Sequence, residues 1–308
     1  MNNNNNNNKN YNCTVVIPAF FSGNIISQNI ESLPTNIDIL IIDNTYDNRL
    51  LKHIKNYSNI KYFNIGDVGL AKTYNFALSK IETKYFLITQ PDVILRKNCL
   101  EYLLLSMLKY PEAGMIAPIV FDNNEYSHND YYDLKYDKDK KKFNYRKNKI
   151  NIIPSGDICV DAVNATTILI KTEAIKKIGG WDENIYVYLE DIDISLRMTL
   201  NNYSIIKIKN AAVDHKGWSS HFVEINNTMN ISRVWHFTWS SLYFQKKFSK
   251  HYKYIFSIVK IILFSMFKII FYSLFYNKKK IILNNIKVMA CVAHIFNRGS
   301  YYRINHNI

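Results

Sequence analysis

Asp182, Glu183, Glu190, Asp191, Asp193 and Arg197 crowd into the short span between Gly179 and Arg197. If a helix opens at Glu190, its first carboxylates meet the positive helix end, and Asp193 and Arg197 form an i, i+4 pair that ties the first turn together. Asp191 or Glu190 is then left to face a cleft as a base. The same residues also read as an acidic helix start with a surface ion pair.

Such a cluster needs elements to hold it. Cys13-Thr-Val-Val-Ile-Pro18 and Ile37-Asp-Ile-Leu-Ile-Ile-Asp43 are β-branched runs that read as buried parallel strands, with Ile25 to Leu33 as the crossover helix. A weaker strand is predicted over Asn59 to Asn64, a helix over Leu70 to Lys80, and a strand over Tyr85 to Thr89 before Gln90-Pro91-Asp92. Cys99 to Lys109 reads as a helix, Gly114 to Val120 as a strand, and Asn123 to Lys149 as a solvated loop or a flap over an anionic substrate. Val160 to Ile170 returns to strand-like content, Glu173 to Ile178 is a short helix ended by Gly179-Gly180, Glu190 to Asn201 is a longer one, and Ser204 to Lys209 with Val213 closes the body. This alternation predicts an α/β chain with a doubly wound open sheet, whose ligands bind at the carboxyl ends of the strands. The turns after Ile17, Ile42 and Thr89 are where a ligand belongs.

With 308 residues, 48% hydrophobic and 14% aromatic, the chain is neither a disordered tail nor a small stapled domain. Its net charge of +14 is unevenly spread. From Arg233 to Ile308 there are 13 Lys or Arg and no acid, whereas the first 232 residues hold 26 bases against 25 acids. Cys13, Cys99, Cys159 and Cys291 lie far apart without metal-ligand spacing, so reduced and mostly buried thiols are expected. Residues 2–8 are all Asn, not a signal peptide, which points to a cytoplasm-like compartment. Three regions follow: residues 1–12 as a disordered Asn-rich leader, 13–232 as the body, and 233–308 as a basic, aromatic helical tail.

The body resembles the family 2 glycosyltransferases of the GT-A fold, particularly rhamnosyltransferase-like members. The likeness runs through Val15-Val-Ile-Pro18, Ile41-Ile-Asp-Asn44, Gly69-Leu-Ala-Lys-Thr-Tyr-Asn75, Thr89-Gln-Pro-Asp-Val93 and the span Gly179 to Arg197, which is similar to GG-F-D-E followed by E-D-x-D-L-x-x-R. Each motif is weak alone; their order and spacing are specific. The resemblance implies an open mixed sheet with flanking helices and an inverting transfer from a nucleotide-sugar donor. Asp191 is then the base, with Glu190 as understudy, and Trp181 and Asp182 form the acceptor site. Donor-nucleotide contacts fall on Pro18, Ala19, Asp43, Asn44, Gly69, Lys72 and Asn75. A divalent metal, Mn²⁺ or Mg²⁺, is implied on Asp92 and His215, although Gln90-Pro91 precede a single acid where the family has a DxD motif. Rhamnose from a dTDP donor is the first expectation, UDP-sugars the next.

Tyr254 to Tyr276 is long enough to span a bilayer, but Lys253, Lys260 and Lys268 fall on one helix face, which predicts an amphipathic helix lying in the interface. Trp235, Trp239, Tyr243 and Phe244 interleave with Arg233, Lys246 and Lys247, the mixture expected at anionic headgroups. The expected setting is therefore cytoplasmic and peripherally membrane-associated, with a glycan or lipid-linked acceptor. A non-catalytic basic binder of membrane or nucleic acid with a degenerate body is the rival. No RNA-binding aromatic signature, zinc-finger spacing or zipper supports a nucleic-acid partner. A sugar-nucleotide pyrophosphorylase would want a Gly-rich loop after the first strand, which Pro18-Ala-Phe-Phe-Ser-Gly23 is not.

Overall fold

The structure, a computed structural model, describes residues 11–23, 25–45, 49–122, 124–127, 131–140, 142–147, 153–216 and 226–303. The Asn tract expected to be disordered lies outside the described residues.

The chain opens with β1 (Cys13–Ala19), α1 (Ile26–Glu31), β2 (Asp38–Asp43), α2 (Leu51–Ile54), β3 (Ile60–Asn64), α3 (Leu70–Leu78) and β4 (Tyr85–Thr89). β1 pairs in parallel with both β2 and β4, and β2 with β3. Both faces of this sheet are covered. Val15 and Ile17 of β1 and Ile39 and Ile41 of β2 join one buried cluster, while Val16, Leu40 and Ile42 join the other. That explains the continuous apolar runs of the sequence, because a strand buried on both faces has no solvent side to alternate with. The register sets Ala19 against Asp43, so the carboxyl ends of β1 and β2 finish side by side.

β5 (Val93–Leu95), α4 (Cys99–Lys109), β6 (Ala113–Asp122), β7 (Glu125–Tyr126), β8 (Tyr131–Asp137), β9 (Lys142–Lys147), β10 (Ile158–Val160), β11 (Ala162–Val163) and β12 (Thr167–Lys171) follow. Next come α5 (Thr172–Lys177), α6 (Glu190–Leu200) and β13 (Ser204–His215). The ten-stranded sheet runs β10-β13-β6-β12-β4-β1-β2-β3, with β5 on β13 and β7 on β6. β12 is antiparallel to β4 and β6, and β13 is parallel to β6, so the sheet is mixed. Cys13, Cys99 and Cys291 are buried thiols and Cys159 is exposed, none of them paired.

The expectation of a loop over Asn123 to Lys149 is corrected: β8 and β9 form an antiparallel hairpin, and β8 also pairs with β11. Tyr132 and Leu134 alternate inward and are buried against Phe244 and Phe248, while the exposed Lys138, Asp139 and Lys140 sit at the turn. The charge that suggests a loop is concentrated where the hairpin reverses.

Three helices end the chain: α7 (Asn226–Phe248), α8 (His251–Leu274) and α9 (Lys278–Ile295). α7 starts upstream of the charge boundary at Arg233 and packs on the body. Trp235, Trp239 and Phe244 are buried, and Tyr243 donates to Asp182 at 3.0 Å. These aromatics therefore face protein, which corrects the expectation of a headgroup surface for them. α8 differs: it is the one helix among the described residues long and apolar enough to cross a membrane, with a mean hydropathy of 2.1 and 17% of that stretch buried.

Candidate active site

The strand ends make the floor of a cleft lined by Pro18 and Ala19 at the end of β1, Asn44 after β2, Gly69 before α3, and Gln90 and Pro91 after β4. Asn44 is held by its amide donating to Ala19 O at 2.9 Å and by its Oδ1, which accepts from Thr73 at 2.8 Å. Asp43 does turn work. Its Oδ1 accepts from the Thr45 amide at 3.0 Å and hydroxyl at 2.8 Å, and its Oδ2 accepts from Tyr62 at 3.0 Å.

Gly69 has φ of +84°, and a Cβ there would stand 2.4 Å from the Tyr186 carbonyl oxygen and ring. The close approach lets Leu70 N donate to Tyr186 O at 2.7 Å, while the Tyr186 hydroxyl donates to Asp67. Gly69→Ala is expected to cost roughly 1–3 kcal/mol of backbone strain before any clash is relieved, and to weaken nucleotide binding. Urea unfolding of the variant, with a midpoint unchanged from wild type as the contrary result, checks this.

Lys72 is exposed and outside the cleft lining, and Asn75 is also outside it. Asn75 instead clamps the loop before α6: its Nδ2 donates to Trp181 O and Glu183 Oε1, both at 2.9 Å, and its Oδ1 accepts from Trp181 N at 2.8 Å. A Cβ on Gly180 would sit 2.5 Å from that Oδ1, which explains a glycine at this place. Trp181 is buried against Tyr74 and Phe86, with ring centroids 5.1 and 6.3 Å away. Asp182 Oδ2 accepts from Lys247 at 2.7 Å and from Tyr243 at 3.0 Å. Trp181 and Asp182 thus have positioning work inside the fold, joining the loop to the core and to α7.

Tyr188 and Leu189 both adopt positive φ, 68° and 67°, and this tight turn starts α6 at Glu190. Such conformations are costly for non-glycine residues and are retained where the surroundings over-determine them. Here the next helical turn is pinned by Asp193, fully buried, which accepts from Arg197 Nε at 2.7 Å and from Lys247 Nζ at 2.6 Å. Asp191 Oδ1 accepts from Ile192 N at 2.8 Å and its Oδ2 from Ala165 N at 3.3 Å. Glu190 is buried, and its Oε2 has no hydrogen-bond partner among the described residues. Burial pushes both acids above the ordinary carboxylate range, and the charge of Asp191 pushes Glu190 further. Two backbone amides donate to the Asp191 carboxylate whereas Glu190 Oε2 has no donor among the described residues, so the negative charge of the pair is better supported on Asp191.

On the other side of the floor, the antiparallel pairing of β5 with β13 sets His215 opposite Val93 and brings Asp92 beside it. Asp92 Oδ2 lies 3.6 Å from His215 Nε2, and His215 Nδ1 lies 2.9 Å from Asp122 Oδ1. Burial works against charge on His215, but Asp92 and Asp122 together outweigh it and raise its pKa. One carboxylate oxygen and one imidazole nitrogen, the latter oriented by a second carboxylate, suit a divalent ion such as Mn²⁺ that takes its remaining ligands from phosphate and water. The described residues offer no group of three or more such protein ligands.

Sequence reasoning missed several walls of the cleft: Asp67, Tyr186, Tyr188 and, from α7, Met229 and Arg233. Arg303 stacks its guanidinium 3.8 Å over the Tyr186 ring and donates to Asp67 O at 3.3 Å, so the chain's last described residue buttresses that wall. No spacing in the sequence announces contacts so far apart along the chain.

Residues 14–164 match the family "Glycosyl transferase family 2". The rhamnosyltransferase WbbL of Escherichia coli (strain K12) is 26% identical over 190 residues, which are 56% of this chain and 70% of that protein. Among solved structures, the mannosyltransferase PcManGT from Pyrobaculum calidifontis in complex with GDP-Man and Mn²⁺ superimposes with a TM-score of 0.54 at 11% identity, over 95% of this chain and 76% of that one. S. aureus TarS 1–349 in complex with UDP gives 0.53 at 15%, over 94% and 93%. GalNAc-T7 with UDP, GalNAc and Mn²⁺ gives 0.53 at 16%, over 72% of this chain, which spans about half (48%) of that protein. At such identities the structural likeness shows the fold alone.

Proposed function

The body of this chain is a family 2 glycosyltransferase of GT-A fold, and from that premise we propose an inverting enzyme that uses Asp191 as its base and the cleft between the strand ends and Tyr188 as its donor site. The observation that carries this reading is that the buried acid pair follows one residue beyond Tyr188, a wall of the cleft floored by Pro18, Ala19 and Asn44.

In the proposed reaction the nucleotide lies over Pro18, Ala19 and Asn44. The Asn44 amide, having donor and acceptor, suits a uracil or thymine edge. Asp191 accepts the proton of an acceptor hydroxyl as its oxygen bonds to the anomeric carbon from the face opposite the diphosphate. The bond from that carbon to the diphosphate breaks in the same displacement, and the nucleoside diphosphate leaves with the electron pair. A divalent ion held by Asp92 and His215 would supply positive charge to the departing diphosphate. Arg233, which lines the cleft from α7, adds a fixed positive charge of the chain's own. Rhamnose is the first sugar to test because the relative in E. coli is described as a rhamnosyltransferase. The acceptor is a glycan or a lipid-linked saccharide, reached from the cytoplasmic face with the tail at the membrane surface.

A thermal-shift and hydrolysis panel of the full chain with dTDP-, UDP- and GDP-sugars, each with Mn²⁺, Mg²⁺ or EDTA, tests the reading. A donor at 100 times its Kd adds about 2.7 kcal/mol to folding stability. One donor should therefore raise Tm clearly, with the shift reduced by EDTA and by His215→Ala. No shift and no hydrolysis with any donor would contradict the proposal; a shift indifferent to EDTA and to His215→Ala would remove the metal from it.

A further inference from the structure

α9 ends at Ile295, and Asn297 takes φ of +52°, the left-handed conformation that closes many helices. Arg298 N reaches back to Ala293 O at 2.9 Å, and the chain turns to run over α7. It is tied there residue by residue. Trp239 Nε1 donates to Arg298 O at 3.0 Å, and the Tyr301 and Tyr302 rings pack on Trp235 with centroids 4.9 and 5.8 Å away. His236 Nε2 lies 3.0 Å from Tyr302 O, which can only accept, so that nitrogen carries the proton and Nδ1 accepts from the Ser300 hydroxyl at 2.7 Å. The imidazole stays neutral, because burial and then the Arg303 charge push its pKa down to about 3.

This run of chain ends at a wall of the donor cleft. The His236 ring stacks on Tyr186 with centroids 4.2 Å apart and planes 21° from parallel, and the Arg303 guanidinium lies 3.8 Å from the centre of the same ring. Two groups so close to one ring take opposite faces, since side by side they would overlap. With both faces covered, Tyr186 offers a nucleotide base no face to stack on. Its work is to hold the wall: its hydroxyl donates to Asp67, and both residues line the cleft. Arg303 closes the arrangement. Its Nη1 donates to Ser300 O at 2.7 Å and Tyr302 O at 2.8 Å, while its Nε donates to Asp67 O at 3.3 Å. The side chain is exposed, so it fills no core, and a guanidinium fork makes these bonds in one fixed geometry where an ammonium could not.

We propose that Arg303 is a positioning residue for the donor: from beyond α9 it locks Tyr186 and Asp67 in place, so that the cleft receives a nucleoside diphosphate without reordering its wall. A wall ordered in advance costs less to bind against. The proposal deepens the reading of this cleft as the donor site and rests on it.

Arg303→Ala and Arg303→Lys are compared with wild type in the full chain by three measurements. Hydrogen exchange without ligand reads the wall, titration with UDP, dTDP and GDP in Mn²⁺ reads nucleotide binding, and urea unfolding reads stability. Arg303→Ala should keep a urea midpoint close to wild type, exchange faster over residues 65–70 and 184–188, and bind nucleotide about tenfold more weakly. Arg303→Lys, which keeps the cation but not the fork, should fall between the two. For a sugar nucleotide that the wild type hydrolyses, Arg303→Ala should raise KM by the same factor and change kcat by less than about threefold. Unchanged exchange, an unchanged Kd, or a fall in kcat at constant KM would overturn the proposal and leave the donor cleft standing. A wild type that binds no nucleotide would instead sink the donor-cleft reading, and the role of Arg303 with it.

Discussion

Asp191→Asn is expected to lower kcat by about 10² to 10⁴ while the donor still binds, the loss typical of removing a general base. The amide preserves the shape of the side chain and its one oxygen can keep the shorter bond from Ile192 N, at the loss of the longer one from Ala165 N, so the start of α6 is retained. What disappears is the ability to take the acceptor proton. The pH dependence carries a sign that follows from the same environment. Burial raises Asp191 above the ordinary carboxylate value of about 3.9, so the base is protonated, and the rate low, at acid pH. Activity rises as the pH climbs through the raised pKa, and the Asn variant lacks that limb. Glu190→Gln separates the partners: a protonated Glu190 contributes no charge for the amide to remove, so most of the activity and the acid limb itself should be retained. Steady-state kinetics across pH on the three proteins checks this, and near-normal turnover in Asp191→Asn would take Asp191 out of the role.

The largest loss of stability is expected for Asp193→Ala, at about 3 kcal/mol. Its carboxylate is fully buried and joins Arg197 on its own helix to Lys247 on α7, which also reaches Asp182. Removing one member of a buried pair leaves opposite charge without compensation, at a typical cost of about 3–5 kcal/mol. The low end applies because Lys247 keeps Asp182 and Arg197 keeps the Ile178 carbonyl at 3.0 Å. Activity should fall as well, since this network fixes α7, with Arg233 in the cleft, against the turn that precedes the acid pair. Urea unfolding should show a lower midpoint with an unchanged slope. Adding Lys247→Met to Asp193→Ala should cost less than the sum of the two single changes, because the groups share one network. Strict additivity would mean that they do not.

How much of this was legible in the sequence depends on the distance over which each contact acts. The strands that floor the cleft are plain from Val15 to Ile17 and Ile39 to Ile42, because burial on both faces leaves an unbroken β-branched run. The start of α6 is equally plain, since an acid pair before an i, i+4 Asp–Arg bridge is a local pattern. The meeting of Asp92 with His215 arises from the antiparallel pairing of β5 with β13, and no local rule supplies that register; the family resemblance brought them together instead. The hairpin of β8 and β9 was hidden by its charged turn, although Tyr132, Leu134 and Tyr136 alternate as a half-buried strand should. The tryptophans of α7 illustrate a different limit. An aromatic and basic helix face has the same pattern whether it meets headgroups or a protein core, and only the packing of Trp235 and Trp239 under α9 and the 298–303 segment decides between them. Asn75 and Trp181 stand in motif positions, yet their hydrogen bonds and burial give them positioning work that spacing does not reveal.

The crystal structure of the full chain with a nucleoside diphosphate and Mn²⁺ would test the central claim most directly. The base should lie against Pro18, Ala19 and Asn44, with the diphosphate turned toward Asp92 and His215 and the acid pair across the cleft beyond Tyr188. A nucleotide bound elsewhere, or a cleft left empty at saturating ligand, would contradict the assignment of that cleft as the donor site and of Asp191 as the base beside it.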